Sequence, residues 1–242
     1  IVSRDWSSDV CSSDLAAAIA ADREAGLVPC VVVATVGTTS SGAIDPLPAI
    51  AEVASAAGAW LHVDAAWAGS AAVCPEFQHL LDGLDRADSY CFNPHKWLLT
   101  NFDCTAFYVA DRGPLLESLS ILPEYLRNAA SDAGEVIDYR DWQVPLGRRF
   151  RSLKLWFVLR SYGAEGLRAH IRHHVAAATA LAERIDVNPR LDLAAPRSLA
   201  LVCLRHVDGD EATEAPHAAV NASGEAFLTP TKPHGRHALR SD

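Results

Sequence analysis

Apolar residues recur along this chain at two alternating periods, one helical and one strand-like, and the alternation predicts an α/β protein. An alanine-rich stretch with helical spacing begins at Leu15 and runs to about Ala25, where Gly26 ends it. Val31-Val32-Val33-Ala34 follows as a short unbroken apolar run, the pattern of a parallel strand covered on both faces. Asp45 and Pro46 supply a helix cap and a first helical position, and Leu47, Ile50, Val53 and Ala57 keep helical spacing until Gly58. Trp60-Leu61-His62-Val63 reads as a second strand, Glu76 to Leu84 as helical, Ser89 to Phe92 as a third strand and Thr105 to Val109 as a fourth. Strands that begin at 31, 60 and 89 are one strand plus one crossover helix apart. The expected fold is therefore α/β, a mainly parallel sheet with helices on both faces and ligands beyond the carboxyl ends of its strands.

After Val109 the pattern changes. From about Leu119 to Arg140 the chain is polar and interrupted by Pro123 and Gly134, as expected of a lid or other functional loop. Ser152 to Tyr162 predicts a helix, and Leu167, Ile171, Val175, Ala178, Ala182 and Ile185 mark the buried face of another. Strands are expected near Leu191, at Leu199 to Leu204 and in the closing run Ala238 to Asp242, which suggests a smaller α+β unit. The expected organisation is a leader at 1–14, part of a large domain at 15–162 with a mobile loop at about 119–140, and a truncated C-terminal domain at 163–242.

Composition narrows the picture. The segment IVSRDWSSDVCSSDL has five serines, a near-repeat, and neither the basic start nor the apolar core of a signal peptide, so it reads as an adapter or assembly scar. The 242 residues include no methionine, not even at position 1, and the chain is expected to be a piece of a longer product. Lys+Arg 21 against Asp+Glu 30 leaves a formal charge of −9, which argues against nucleic acid or an anionic membrane as partner and toward a small molecule. No apolar stretch reaches the roughly 20 residues that span a bilayer, so a soluble protein is expected. The six cysteines form no CxxC pair and read as reduced thiols of a cytoplasmic protein in preference to a disulfide framework or a zinc site.

Two runs at predicted strand ends can carry chemistry. In Asn93-Pro94-His95-Lys96-Trp97, a lysine held in an apolar crevice would lose the solvation of its charged form and could form a Schiff base with an aldehyde; the bland reading is a surface lysine beside a turn. In His62-Val63-Asp64-Ala65-Ala66-Trp67-Ala68-Gly69, small residues would let a flat ligand approach while Asp64 pairs with a cationic ring nitrogen, as pyridoxal phosphate requires; the bland reading is a helix cap. His170 and His174 are one helical turn apart, but no HExxH pattern accompanies them, and structural or solvated roles are expected. Arg148, Arg149 and Arg151 suggest a helix start and domain packing. His62, Asp64 and His95 would be an acceptable metal ligand set, which keeps a metal-dependent hydrolase as the alternative from a different class.

Five collinear motifs then carry a resemblance. Val33-Ala34-Thr35-Val36-Gly37-Thr38-Thr39, the runs at 62–69 and 93–97, Asn101-Phe102-Asp103-Cys104, and the run from Pro145 to Lys154 closely resemble the group II pyridoxal-phosphate-dependent amino-acid decarboxylases, with the aromatic-L-amino-acid decarboxylases the nearest look. The resemblance covers Leu15 to about Arg240 and implies the fold type I of pyridoxal-phosphate-dependent transferases. It implies Lys96 as the lysine linked to the cofactor, Asp64 at the pyridine nitrogen, Thr39 at the cofactor, Ala66 beside the ring, and Asn93 and His95 near the phosphate. Tyr125, in Leu122-Pro123-Glu124-Tyr125-Leu126, matches a mobile-loop tyrosine that in the family goes with amine formation, where phenylalanine goes with aldehydes.

The implied activity is decarboxylation of an L-amino acid, aromatic by resemblance, to its amine and carbon dioxide in a homodimer, with no metal. An aldehyde-forming variant and a decarboxylase of acidic or diamino substrates are the alternatives on the same scaffold. The family's phosphate loop, ring-stacking histidine and much of its substrate pocket would precede the first strand here, so this polypeptide alone is expected to be inactive.

Overall fold

A computed structural model describes residues 12–120 and 137–241. Its first sheet has the order β1-β2-β3-β4: Val31–Thr35, Trp60–Asp64, Ser89–Phe92 and Ala106–Val109. The first three strands are parallel, in a register that sets Thr35 opposite Asp64 and Asp64 opposite Cys91. β4 runs antiparallel, with Cys91 opposite Phe107.

One face of this sheet is closed. Val32, Ala34, Leu61 and Val63 pack with Leu47, Ile50, Ala51 and Ala54 of helix α2 (Leu47–Ala57) and with Ile19 of α1 (Ser12–Glu24). Gly58 ends α2 in the left-handed conformation, φ 65°, as its position in the pattern predicts. The other face is open at the start of β1, a correction to the expectation from the apolar run at 31–34: Val31 is 58% exposed and Val33 46%, although Thr35 and Ser89 on the same face are buried. A run of valines has the same composition whether one face is covered or two, and only the packing distinguishes them.

Two further boundaries differ from the pattern. The stretch expected as a helix from Glu76 to Leu84 consists of 3-10 turns at Pro75–Leu81 and Leu84–Arg86, separated by Gly83 at φ 92°. The strand expected from Leu199 begins at Val202, because Leu199 takes a positive φ of 50° in a turn bridged by Ser198 and Leu201.

Beyond the short helices α3 (Pro94–Trp97) and α4 (Arg112–Leu119), helix α5 runs over Arg151–Asp186 and breaks at Gly163, φ 63° and ψ 176°. The break falls where the pattern divides the chain, but the helix past it serves two cores. Ile171 packs into the core of the first sheet, and Ala178 and Ile185 pack with Val202 in a second. That second core backs an antiparallel sheet of order β5-β6-β8-β7: Leu191–Leu193, Val202–His206, Ala238–Ser241 and Thr229–Thr231. Among the described residues, no helix is long and apolar enough to cross a membrane.

Candidate active site

The parallel register brings the carboxyl ends of β1, β2 and β3 side by side, so the segments that follow them meet there. At the end of β2, Asp64 turns back on the chain: its Oδ1 accepts the Ala66 N–H at 2.9 Å. After β3, the Asn93 N–H donates to the Ala66 carbonyl at 2.9 Å and the Lys96 N–H to the Asn93 carbonyl, also at 2.9 Å. The two motifs at 62–69 and 93–97 are thus stitched together through Ala66.

The side chains of Asp64 and Lys96 act on one group. Burial, then the Asp64 carboxylate, pushes the Cys91 thiol up to about 11, while the Lys96 ammonium pulls it down. Lys96 itself is exposed, so the described residues do not enclose it in an apolar crevice. Asp64 and Ala66 are half-buried.

His95 is held by the Asn101–Cys104 run. Its Nδ1 lies 3.0 Å from the Cys104 N–H and 2.7 Å from the Cys104 carbonyl, and Phe102 meets its ring edge-on at 4.9 Å. The next residue toward the surface, Asp103, accepts from Arg149 at 2.6 Å and Arg151 at 2.9 Å, and Arg151 holds its carboxyl down at about 2. The arginine cluster therefore opens α5 and ties it to the histidine loop. Trp97 is buried, stacks on Trp67 at 4.8 Å, and donates its indole N–H to His174 Nδ1 at 3.2 Å, which gives His174 a structural partner.

Thr39 is the exposed residue of an otherwise largely buried loop after β1. That loop is pinned from the second sheet: Arg240 donates to the Thr39 carbonyl, and Thr231 Oγ1 and Cys203 Sγ donate to the Ser40 carbonyl at 3.2 and 3.3 Å. Tyr125 lies outside the described residues.

The metal-hydrolase alternative needs His62, Asp64 and His95 to converge. His62 turns Nδ1 to Ser89 and His95 turns Nδ1 to the Cys104 backbone, and among the described residues no three His, Cys, Asp or Glu side chains are grouped to hold a metal.

Sequence reasoning passed over several neighbours of Asp64. Trp60, Ser89 and Cys91 share its sheet face with His62, which the sequence offered only as a metal ligand, and so does Thr35, whose buried Oγ1 has no hydrogen-bond partner among the described residues. The two-residue period within each strand is visible in the sequence, but the register that puts them together is not.

Comparison with known proteins identifies the family. Residues 2–207 match the profile described as the pyridoxal-dependent decarboxylase conserved domain. Phenylacetaldehyde synthase of Arabidopsis thaliana is 48% identical over 230 residues, 92% of this chain and 47% of its own length. Tryptophan decarboxylase 1 of Oryza sativa subsp. japonica is 50% identical over 234 residues, 92% of this chain and 46% of its own. A crystal structure of Oryza sativa TDC with PLP and tryptamine superposes with a TM-score of 0.91 at 48% identity, covering 96% of this chain and 50% of that one. The chain thus spans about half the length of these relatives, and it carries the same α/β fold type I as its structural neighbours. By profile, identity and fold, the chain belongs to the pyridoxal-dependent decarboxylase family.

Proposed function

We propose that the whole protein is a pyridoxal-phosphate-dependent carboxy-lyase that converts an L-amino acid, aromatic in class, to its amine and carbon dioxide. The observation that carries the reading is the placement of Asp64 as the last residue of β2 and of Lys96 in α3, directly after the neighbouring parallel strand β3, with both charges acting on Cys91 between them. The donor set fits the cofactor. Asn93 has a buried Oδ1 with no partner among the described residues, an acceptor that calls for a hydrogen-bond donor on a bound group.

When bound, pyridoxal phosphate supplies an aldehyde for an amine and a ring that withdraws electrons from the substrate α-carbon. Lys96 would provide the amine that holds the cofactor. Asp64 would keep a proton at the ring nitrogen, Ala66 would leave room beside the ring, Thr39 would flank it, and Asn93 and His95 would serve the phosphate. Tyr125 would return a proton to the α-carbon after carbon dioxide leaves and would help exclude water.

Aromatic specificity is supported by the relatives named tryptophan and tyrosine decarboxylases. A homodimer, a cytoplasmic location and a division into units at 15–162 and 163–242 complete the reading; the leader expected at 1–14 is not carried over, because helix α1 already begins at Ser12 and the family match begins at residue 2. Cys30, Cys74, Cys91 and Cys104 are free thiols, which supports a reducing compartment.

The test is to load the whole protein with pyridoxal phosphate, reduce with borohydride and map the label by mass spectrometry, alongside amine detection from a panel of amino acids. A visible band that borohydride bleaches, a pyridoxyl group on Lys96 and an aromatic amine are expected. Label elsewhere, or none, would overturn the assignment.

A further inference from the structure

The open face of the first sheet carries a row of polar side chains that ends on Asp64. Trp60 Nε1–H donates to Ser89 Oγ at 2.8 Å, and the same oxygen lies 2.8 Å from His62 Nδ1. His62 Nε2 lies 3.7 Å from Cys91 Sγ, and Cys91 Sγ lies 3.8 Å from Asp64 Oδ1. Strand pairing sets the spacing, since His62 faces Ser89 and Asp64 faces Cys91 across β2 and β3.

The hydrogens in this row have one consistent arrangement. Ser89 is buried at 4% exposure, and the indole nitrogen of Trp60 can only donate to it. The Ser89 hydroxyl hydrogen then has one acceptor among its described partners, His62 Nδ1. With Nδ1 accepting, neutral His62 carries its hydrogen on Nε2 and offers it to the Cys91 sulfur. The thiol hydrogen is left for Asp64 Oδ1. The reverse order would bury the Ser89 hydroxyl hydrogen without a partner and set a sulfur lone pair against the carboxylate, and a buried donor left unsatisfied costs about 1–3 kcal/mol.

Two electrostatic effects agree with the geometry. Burial lowers His62, outweighing the nearby Asp64 carboxylate, which favours the neutral imidazole. Burial and Asp64 together keep the Cys91 thiol protonated, with Lys96 pulling weakly the other way, so it serves as a donor and not as a nucleophile. Among the described residues, both hydrogen bonds to the Asp64 carboxylate, from the Ala66 N–H and the Cys91 thiol, end on Oδ1. Oδ2 is left clear.

We infer that Trp60, Ser89, His62 and Cys91 form a one-directional relay of hydrogen bonds that presets the Asp64 carboxylate, locking Oδ1 and presenting Oδ2 to the cationic ring nitrogen of the cofactor. His62 and Cys91 are positioning residues that act through Asp64. The relay rests on the assignment of Asp64 to pyridoxal phosphate, although its hydrogen order is a property of the chain without the cofactor.

Two measurements on the whole protein test it separately. Heteronuclear NMR of the imidazole nitrogens in the cofactor-free protein is expected to find His62 neutral with hydrogen on Nε2; hydrogen on Nδ1 overturns the relay whatever the protein binds. Pyridoxal phosphate affinity, read from the visible absorbance, is expected to fall about tenfold in Cys91→Ala and to recover in Cys91→Ser, which restores a donor. Equal affinity of the two variants overturns the positioning role. If the unsubstituted protein binds no pyridoxal phosphate, the cofactor assignment fails, and the hydrogen order at His62 alone decides the relay.

Discussion

The indole N–H of Trp97 donates to Nδ1 of His174, 3.2 Å away and 77 positions along the chain. The contact anchors the residue that follows Lys96 to the long helix α5, with Trp67 stacked on the indole. Because Trp97 is 4% exposed, its donor cannot turn to water if the imidazole is removed.

His174→Ala is therefore expected to cost about 1–3 kcal/mol of stability. Urea denaturation checks this, and a double-mutant cycle with Trp97→Phe isolates the bond itself, since phenylalanine keeps a ring but has no donor. A coupling of about 1 kcal/mol is the expected outcome.

Acid sensitivity has two windows of the same sign. His62, His170 and His174 are all lowered by burial from their ordinary 6.5, so as pH falls below that value the unfolded chain takes up protons before the folded one does. Their contribution is complete above pH 6.5 and is lost as pH falls through their lower folded values. Glu76, beside Arg172, and Asp103, beside Arg151, sit at about 2 against ordinary values of 4.5 and 3.8, so a second loss follows between those values and about pH 2. Denaturation midpoints measured across the range should step down twice; a midpoint unchanged between neutral and mildly acidic buffer would contradict the first window.

Gly37 sits in the loop after β1 with φ +87°, and a Cβ there would lie 2.7 Å from Ala68 Cβ and 2.9 Å from the Trp67 ring. Both the backbone and the space exclude a side chain. Gly37→Ala is expected to lose at least about 2 kcal/mol by thermal or urea denaturation.

Ile171 and Ile185 lie on the same helix and are both fully buried, but they pack into different cores. Truncation of either to alanine is expected to cost about 2–5 kcal/mol. If the helix couples the two sheets, each variant will lower a single shared transition; two separable transitions, each moved by one variant only, would show that the sheets unfold independently.

The product type is expected to turn on Tyr125, because this chain is similar both to tryptophan decarboxylases and to phenylacetaldehyde synthases. Overall identity does not choose between amine and aldehyde. Tyr125→Phe is expected to shift products toward the aldehyde, measured by chromatography with hydrogen peroxide and ammonia assays; an unchanged amine yield would remove the proposed proton-donor role.

Local periodicity was enough to locate β2, β3 and α2 to within a residue or two, to end α2 at Gly58, and to put Asp64 and Lys96 after neighbouring strands. These features depend on residues close in sequence, where apolar spacing and glycine conformation act directly. Collinear motifs also identified the family, because the runs at 62–69 and 93–97 keep their chemistry as a string. What covers a strand, and which side chains meet across it, depends on segments far away, and only the tertiary structure decided them. It left Val31 and Val33 open and broke the expected helix near Gly83 into 3-10 turns. It gave Asp103 its two arginines and His174 its indole. By setting Ser89 and Cys91 opposite His62 and Asp64, the register of β3 against β2 also built a polar row that neither strand encodes alone.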